Sequence, residues 1–398
     1  MIRTIIIGPD QQVAANLEKA LRTFELDVQV CRNVDRYLPA EDLMRVLRSH
    51  APEVVFLSFE NADLATQIVQ LLEQRAAGIQ VVGFHSACDA HLLRESMRTG
   101  VREFLSEPFE QSMVAETLRN VQLLISKRPP VFDEAHQILS FIPSKAGVGC
   151  TTLAMNIAAA LARPNEKRVL LTDLDLNSGM LRFLLQLFPE YSIIDAVENV
   201  ENLDEVIWPQ LITSRFSMDL LHSGRVNPNL RIDPQQVEKL LGFMRRNYDT
   251  LVFDHSGNLE RYSLEVMQES KQIFVVCTPE IPSLHLAREK MTFLKSMALD
   301  GKVFLLLNRV PKRSMFTVDQ VEELVGAKVA YSFSNDYFAV NRATTQAECL
   351  APDSVIGAQC ADFVRNLHDL RARPQVMEKG KKFLEYFTLQ PPQLISQD

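Results

Sequence analysis

The sequence predicts an α/β protein made of two doubly wound parallel-sheet domains in series. Apolar runs of strand length alternate with helical patterns along most of the chain, which indicates parallel strands covered by helices on both faces. One proline-containing segment interrupts this alternation. The length agrees with two domains, because 398 residues are too many for one core and enough for two.

The first predicted domain covers residues 1–126 and contains five strands that alternate with helices. Its predicted strands are Thr4–Ile7, Val28–Val30, Glu53–Phe59, Gln80–Phe84 and Glu103–Leu105. Its predicted helices are Val13–Phe24, Leu64–Gln74, Ala90–Thr99 and Gln111–Ser126. Five such repeats match a flavodoxin-like strand order.

A short linker is predicted over residues 127–136, where two prolines cannot continue a helix and favour extended backbone. The second domain is predicted over residues 137–372. A tail that mixes charged and aromatic residues follows over residues 373–398.

Composition limits the classes of function. Hydrophobic residues make up 46% and charged residues 23% of the chain, which is typical of globular proteins. The formal net charge of −8 argues against a wholly basic, nucleic-acid-binding surface. The six cysteines are scattered without a CxxC pair, so we expect no disulfide framework and a cytoplasmic location. We recognise no signal-peptide pattern and no apolar run of the ~18 residues that a membrane span needs.

The strongest chemical signal is a phosphate loop between Ile138 and Ala162. A strand enters a glycine-bearing turn and an alanine-rich helix leaves it, so backbone N–H groups converge on one point and attract phosphate. Thr151 stands where a hydroxyl ligand to Mg²⁺ is expected. The predicted nucleotide-binding residues are Ala146, Gly147, Val148, Gly149, Cys150, Thr151 and Thr152. The alternative is a phosphate loop that has become a plain turn.

This loop departs from the usual pattern GxxxxGK[ST] at one position. Residues 143–151 read PSKAGVGCT, so Cys150 replaces the lysine that normally reaches the β- and γ-phosphates. A neutral thiol cannot supply that charge. A redox role for Cys150 is a minor alternative, because a helix N-terminus lowers the pKa of a thiol.

Two further predicted strands deliver aspartates at their carboxyl ends, where ligands lie in open α/β sheets. The segment RVLLTDLDLNSG ends with Asp173 and Asp175, and YDTLVFDHSGN ends with Asp254 followed by a tight turn. The alternative for Asp173 or Asp175 is that its side chain caps the following turn. We interpret His255 as structural or solvated.

These segments together resemble one family. KAGVGCTT (residues 145–152) resembles the KGGxGKTT loop of the deviant Walker A ATPases, which include MinD and ParA. The Asp173–Asp175 segment resembles the family's DxD switch, and the Asp254 strand resembles its Walker B strand with a DxxG continuation. IFVVCTPEIPSLHLARE, FLLLNRVPKRS and residues 325–350 resemble its later elements in the same order. The resemblance implies a P-loop NTPase of the MinD/ParA type that uses ATP/ADP and Mg²⁺.

The resemblance also implies roles for single residues. Lys145 would cross a dimer interface and touch the phosphates bound by the partner subunit. Asp175 would organise the attacking water or the Mg²⁺ shell, with Asp173 beside it as part of the metal site. Asp254 would bind Mg²⁺ through water, and Asn308 would read the adenine edge with its amide. The alternative for Asn308 is a turn residue at a strand end.

The first domain resembles a response-regulator receiver that has lost its chemistry. Phosphoryl transfer to an aspartate needs a nucleophilic carboxylate, a metal and a cation. The positions expected to supply these groups or the switch hydroxyl hold Gly8, Pro9, Ser58, His85 and Glu107. We therefore expect a degenerate receiver domain that docks partner proteins.

A degenerate receiver followed by a deviant Walker A ATPase resembles the TadZ/CpaE group of pilus-assembly proteins. The resemblance implies an ATP-dependent, homodimeric localisation factor for a type IV or Tad pilus, with weak or absent hydrolysis and partners bound through the receiver-like domain. It would work at the cell pole or peripheral to the inner membrane. The tail segment Lys379–Leu389 would contact lipid or, alternatively, pack on its own domain or a partner. Other readings are a nucleotide-independent scaffold, or a DNA-segregating ParA-type or positioning MinD-type ATPase.

Overall fold

A computed structural model describes residues 2–24, 28–87, 90–128, 130, 137–163, 167–188, 190–225, 232–367 and 370. The chain forms two compact units, Met1–Glu134 and Ala135–Asp398. Most of the predicted linker and the whole predicted tail, including the segment Lys379–Leu389 for which lipid contact was one prediction, lie outside the described residues.

The first unit is a five-stranded parallel sheet with helices between the strands. Its strands are β1 (Ile2–Ile7), β2 (Val28–Val34), β3 (Val54–Ser58), β4 (Gln80–His85) and β5 (Glu103–Ser106). They lie in the order β2-β1-β3-β4-β5, which is the flavodoxin-like order. The helices are α1 (Gln11–Arg22), α2 (Ala40–His50), α3 (Ala62–Arg75), α4 (Ala90–Arg98) and α5 (Gln111–Lys127).

Burial on both faces explains the composition of these strands. Ile5, Ile6 and Ile7 of β1 are completely buried, as expected for parallel strands covered by helices on both sides. Asp10 starts α1, because its Oδ1 accepts hydrogen bonds from the N–H groups of Gln12 (2.9 Å) and Val13 (3.1 Å).

The second unit is built on an eight-stranded sheet. Its strands are β6 (Gln137–Pro143), β7 (Val169–Leu174), β8 (Thr213–Arg215), β9 (Met218–Leu221), β10 (Thr250–His255), β11 (Gln272–Cys277), β12 (Val303–Val310) and β13 (Val329–Ser334). The order is β13-β12-β11-β6-β10-β7-β9-β8, and every pair is parallel except β8 with β9.

Ten α-helices are assigned within the described part of the second unit. They are α6 (Cys150–Ala162), α7 (Leu181–Leu184), α8 (Ile193–Glu198), α9 (Trp208–Leu211), α10 (Pro234–Asn247), α11 (Arg261–Glu269), α12 (Ile281–Ser296), α13 (Val318–Val325), α14 (Tyr337–Thr345) and α15 (Val355–Asn366). Short 3₁₀ turns occur at Val200–Asn202 and Asp300–Lys302. None of the helices in the described ranges is long and apolar enough to cross a bilayer.

The sheet order brings the carboxyl ends of β6, β10 and β7 side by side. β6 lies between β11 and β10, and β10 pairs in turn with β7. In that register Asp254 of β10 is directly opposite Asp173 of β7. Helix α6, which follows β6, is buried on nearly all sides, and five of its 13 residues are alanine, so the sheet and α15 can approach it closely.

Three side chains joined by hydrogen bonds in the interior of the second unit allow this packing to be tested. Trp208 Nε1 donates to the hydroxyl of Tyr248 (2.8 Å), which donates to Asp219 Oδ2 (2.7 Å). Replacing Tyr248 by phenylalanine should lower the free energy of unfolding by about 1–3 kcal/mol, because the buried indole N–H loses its acceptor. Urea denaturation followed by the fluorescence of Trp208, the single tryptophan of the chain, measures this loss.

Tyr331→Phe is the matched control, because the hydroxyl of Tyr331 donates to Asp362 (2.9 Å), whose side chain is 43% exposed and can bind water instead. Equal losses in the two variants would contradict the expectation.

Candidate functional site

The backbone of the loop between β6 and α6 has the conformation that a phosphate loop needs. Gly147 and Gly149 have φ values of +84° and +85°, in the left-handed region that favours glycine. Ser144 N–H donates to Val276 O (2.8 Å), which fixes the start of the loop to β11. The loop then opens directly into the first turn of α6, where unpaired N–H groups and the helix dipole favour an anion.

Asn308 of β12 holds this loop from the side. Its Nδ2 donates to Val148 O (2.8 Å), and the side chain is 5% exposed. A Cβ atom added at Gly149 would lie 2.7 Å from that same Nδ2, so the close approach of Asn308 requires glycine there. The structure therefore places the predicted adenine-reading residue against the loop backbone, and its role toward adenine stays a prediction.

Cys150 begins α6 with a buried, protonated thiol. Burial raises its pKa well above the usual value for cysteine, and the nearby carboxylate of Asp254 raises it further by its charge and by accepting a hydrogen bond. Both influences oppose the lowered thiol pKa on which the minor redox alternative for Cys150 was based. The thiol is a neutral hydrogen-bond donor and leaves the loop without the usual cation.

Asp254 and Thr151 come together at the end of β10. Burial raises the pKa of Asp254, hydrogen bonds from the Thr151 hydroxyl and the Cys150 thiol lower it, and the charge of Asp175 raises it. Asp254 Oδ1 is buried and has no hydrogen-bond partner in the part of the chain that the structure describes. A cation, or water bound to one, would satisfy this atom and favour the ionised carboxylate.

These residues fit a Mg²⁺ site of the nucleotide-dependent kind. Mg²⁺ is commonly held by one or two protein groups together with phosphate oxygens and water. The described residues contain no group of three or more His, Cys, Asp or Glu side chains arranged to hold a metal alone.

Asp173 is completely buried, and the turn that follows it engages both of its carboxylate oxygens. Its Oδ1 accepts from Asp175 N–H (3.0 Å), and its Oδ2 accepts from Leu181 N–H (3.2 Å) and the Ser223 hydroxyl (3.3 Å). Burial and the charge of Asp254 raise its pKa. This arrangement favours the turn-capping alternative for Asp173 over the predicted role as a metal ligand.

Asp175 is half-buried beside this pair. Its Oδ1 accepts from the N–H groups of Asn177 (3.3 Å) and Ser178 (2.8 Å), and its Oδ2 accepts from the Ser178 hydroxyl (2.8 Å). The turn thus holds the carboxylate close enough to Asp254 for their charges to interact. These bonds also fit the turn-capping alternative for Asp175, and its role toward water stays a prediction.

Lys145 lies on the exposed side of the loop. Its Nζ is 3.6 Å from Glu280 Oε2, and its side chain is 33% exposed. Glu280 precedes α12, so the ion pair connects the loop to the start of that helix. The neighbouring Ala146 is exposed, while Thr152 is half-buried on the first turn of α6.

Comparisons with known proteins agree with this geometry. Residues 136–300 match a protein-family model, AAA_31, described as an AAA domain. The septum site-determining protein MinD of Thermotoga maritima is 25% identical over 193 residues, which cover 46% of this chain and 70% of that protein. A ParA family ATPase from Chlorobium tepidum superposes with a TM-score of 0.53 and 22% identity, covering 58% of this chain and 99% of that one. The second unit has the MinD/ParA-type P-loop fold.

A structure of the MinC:MinD cell division protein complex from Aquifex aeolicus supports the same fold, with a TM-score of 0.50, 22% identity, and coverage of 61% of this chain and 100% of that one. The sequence and fold comparisons agree that the second unit is similar to MinD/ParA-type ATPases.

Sequence reasoning missed one residue of the second unit, Lys290. Lys290 of α12 donates from Nζ to Pro143 O (2.7 Å) and Gly257 O (2.6 Å), beside the phosphate loop. A lysine in an amphipathic helix is ordinarily solvent-facing, so no local signal distinguishes it. His255 is buried, its Nε2 is 2.8 Å from Ser140 Oγ, and burial lowers its pKa to about 3, which agrees with a structural role.

The corresponding strand ends of the first unit are filled by apolar packing. A Cβ atom added at Gly8 would lie 2.9 Å from Phe84 Cζ and 3.0 Å from Ser58 Cβ, so no carboxylate fits at Gly8 without movement. Ser58 is 3% exposed. Glu107 accepts a hydrogen bond from Asn16 Nδ2 (2.7 Å), and His85 Nδ1 accepts one from Ala87 N–H (3.0 Å). The interpretation as a degenerate receiver stays a prediction.

The contact between Gly149 and Asn308 can be tested by Gly149→Ala. The left-handed backbone costs an L-residue about 1–2 kcal/mol, and the added methyl group also displaces Asn308. We expect a lower free energy of unfolding by Trp208 fluorescence. Gly301→Ala is the control, since a Cβ there meets nothing within 4 Å. Equal stability of the two variants would contradict this account of the loop.

Proposed function

We propose that the second unit binds ATP with Mg²⁺ and that nucleotide binding drives the chain to form a homodimer that acts as a localisation factor. One observation carries this proposal: the glycine-dependent loop lies next to Thr151 and Asp254. The Oδ1 atom of Asp254 is buried and has no hydrogen-bond partner among the described residues. A plain turn would need neither two left-handed glycines nor a buried carboxylate beside a hydroxyl at the helix start.

Different residues of the site would bind the phosphates and the Mg²⁺ ion. The N–H groups of residues 147–152 would hold the phosphates, and the hydroxyl of Thr151 together with Asp254 would hold Mg²⁺ directly or through water. ATP supplies the triphosphate whose charge and terminal phosphate distinguish it from ADP. Hydrolysis is expected to be weak or absent, because the neutral Cys150 places no positive charge in the loop to stabilise the negative charge that develops on the phosphate during the reaction.

Lys145 is the residue through which nucleotide would favour the dimer. Its ion pair with Glu280 is 3.6 Å long and partly exposed, so it is weak and its ammonium is easily exchanged for a phosphate of a partner subunit. Nucleotide shifts a monomer–dimer equilibrium only if it makes contacts in the dimer that the monomer lacks. A lysine that reaches across the interface would supply such a contact.

The finer assignment is that the chain positions a type IV or Tad pilus assembly apparatus from the cytoplasm, at the cell pole or peripheral to the inner membrane. It rests on the resemblance of the two-unit order to the TadZ/CpaE group. In this proposal the first unit binds assembly proteins. Its strand ends at Gly8 and Ser58 are filled by neighbouring side chains and form no acidic pocket for phosphoryl transfer, so binding a partner is the role that remains. Deleting the gene in its host should abolish pilus assembly and mislocalise the apparatus in fluorescence microscopy.

A second candidate is a scaffold that self-associates without nucleotide. The buried neutral thiol of Cys150 in place of a lysine favours it, because that substitution removes a phosphate contact.

Nucleotide binding and self-association can be separated by one variant. We expect isothermal titration calorimetry to detect Mg²⁺–ATP and Mg²⁺–ADP binding to the full chain, and light scattering to detect a dimer with ATP. Lys145→Ala should retain nucleotide binding within a few-fold and lose the ATP-dependent dimer, because the lysine acts across the interface. Lys271→Ala, which removes an exposed lysine elsewhere on the second unit, should behave like the wild type.

Dimers that form equally with and without ATP would support the scaffold instead. Failure of the wild-type chain to bind either nucleotide would overturn the proposed function. Brisk ATP hydrolysis by the wild-type chain would overturn the expectation of weak turnover, for which a Cys150→Lys variant is the comparison.

A further inference from the structure

One face of helix α12 lies against the start of the phosphate loop. Ser283, Ala287 and Lys290 recur at helical spacing on that face. Ser283 and Ala287 are completely buried, and the Ser283 hydroxyl is 2.8 Å from the Ser144 hydroxyl. Small side chains on this face let the helix come close to the loop. The long side chain of Lys290, two turns further along, is thereby directed at the carboxyl ends of β6 and β10.

The ammonium of Lys290 lies between the two loops that would border the phosphates. It donates to Pro143 O (2.7 Å), where β6 becomes the phosphate loop, and to Gly257 O (2.6 Å), in the turn that follows Asp254. An ammonium has three N–H donors, so these two bonds fix its position and leave one for another acceptor. It is also close enough to Cys150 for the charge of each group to affect the pKa of the other.

We propose that Lys290 is the phosphate-binding cation of this site and supplies, from helix α12, the positive charge that Cys150 does not provide in the loop itself. The inference rests on the proposed function, because it requires a bound nucleotide. In this proposal Lys290 takes the role of the lysine that usually lies on the first turn of α6, and it reaches the same region from a neighbouring helix. The two carbonyl contacts take the place of the loop geometry that would orient an ordinary phosphate-loop lysine.

Charge balance at the site favours this assignment. Asp254, Asp175 and Glu260 all lie within electrostatic reach, so a triphosphate would meet several carboxylates and few cations. Glu260 raises the pKa of Lys290, but its oxygens already accept hydrogen bonds from the hydroxyl of Ser256 (2.5 Å) and from Asn258 Nδ2 (3.3 Å). Burial lowers the pKa of Lys290 to about 8, so the side chain is charged at neutral pH. A phosphate would stabilise that charge.

Arg309 is another cation near the loop, and it is less suited to this role. Its Nε and Nη2 would lie 3.7 Å from a Cβ atom at Gly149, on the side where Asn308 contacts the loop, and the residue is exposed. Lys290 is half-buried and held by two hydrogen bonds, so less side-chain freedom is lost when it binds a ligand.

The test combines two substitutions in the full chain. Lys290→Met keeps the length of the side chain and removes its charge, and Cys150→Lys restores a lysine to the loop. Isothermal titration calorimetry with Mg²⁺–ATP should show affinity reduced on the order of 10- to 100-fold in Lys290→Met, as expected for the loss of a hydrogen bond to a charged group. Lys295→Met, which removes an exposed lysine from the same helix, should bind like the wild type.

The double variant separates phosphate binding from a purely structural role. If Lys290 binds phosphate, Cys150→Lys should restore most of the ATP affinity lost in Lys290→Met, and the two effects should be strongly non-additive. If Lys290 only ties the two loops together, a lysine at the loop position leaves the carbonyls of Pro143 and Gly257 unpaired. The melting temperature without nucleotide and the ATP affinity would then both stay low in the double variant.

The outcomes also distinguish the inference from the function on which it rests. Suppose that the wild-type chain binds ATP. If Lys290→Met then binds ATP equally well, or binds it more weakly and Cys150→Lys does not restore the affinity, the role of Lys290 is overturned and the proposed function still stands. Absence of ATP binding by the wild-type chain would overturn both.

Discussion

The candidate site depends on contacts that neighbouring strands and helices make with the backbone of the phosphate loop. A loop with two left-handed glycines has few side chains of its own to stabilise it, and its open N–H groups favour water over any internal partner. Asn308 of β12 holds it at Val148, β11 holds it at Ser144, and Lys290 of α12 holds it at Pro143. The geometry that could receive phosphate is therefore a property of the whole sheet order, because that order places β11 next to β6 and β12 next to β11.

Charge is the second constraint on the same site. Asp254 and Asp173 lie opposite each other on adjacent strands, both buried, and burial raises the pKa of each. Two buried carboxylates are stable only if protons, hydrogen bonds or cations offset their charge. The turn after β7 supplies hydrogen bonds to Asp173, whereas Asp254 keeps one oxygen without a partner in the described chain. This difference favours Asp173 as a support of the turn and Asp254 as the carboxylate that a cation would contact.

Sequence patterns predicted the buried parallel strands and the phosphate loop, because both depend on local composition and spacing. Helix α2 was missed although it is amphipathic, since Pro39 before it offers no capping side chain and Ala51 after it takes a left-handed conformation without glycine. The β8–β9 hairpin was missed for a similar reason, because Phe216 and Ser217 occupy its left-handed turn positions where glycine or asparagine is usual. Lys290 is 140 residues from Cys150 in the printed sequence, and only the fold brings them together.

The exchange of a loop lysine for a buried thiol has a consequence for what this site can do. A lysine on the first turn of the helix would move with the loop, whereas Lys290 is bonded at once to the phosphate loop and to the turn after Asp254. Any ligand that draws on its charge therefore acts on both loops together. That coupling suits a protein in which nucleotide binding changes the conformation or the association of the chain. Rapid hydrolysis requires charges that stabilise the transition state, whereas a switch requires only that the nucleotide bind one of two conformations more tightly than the other.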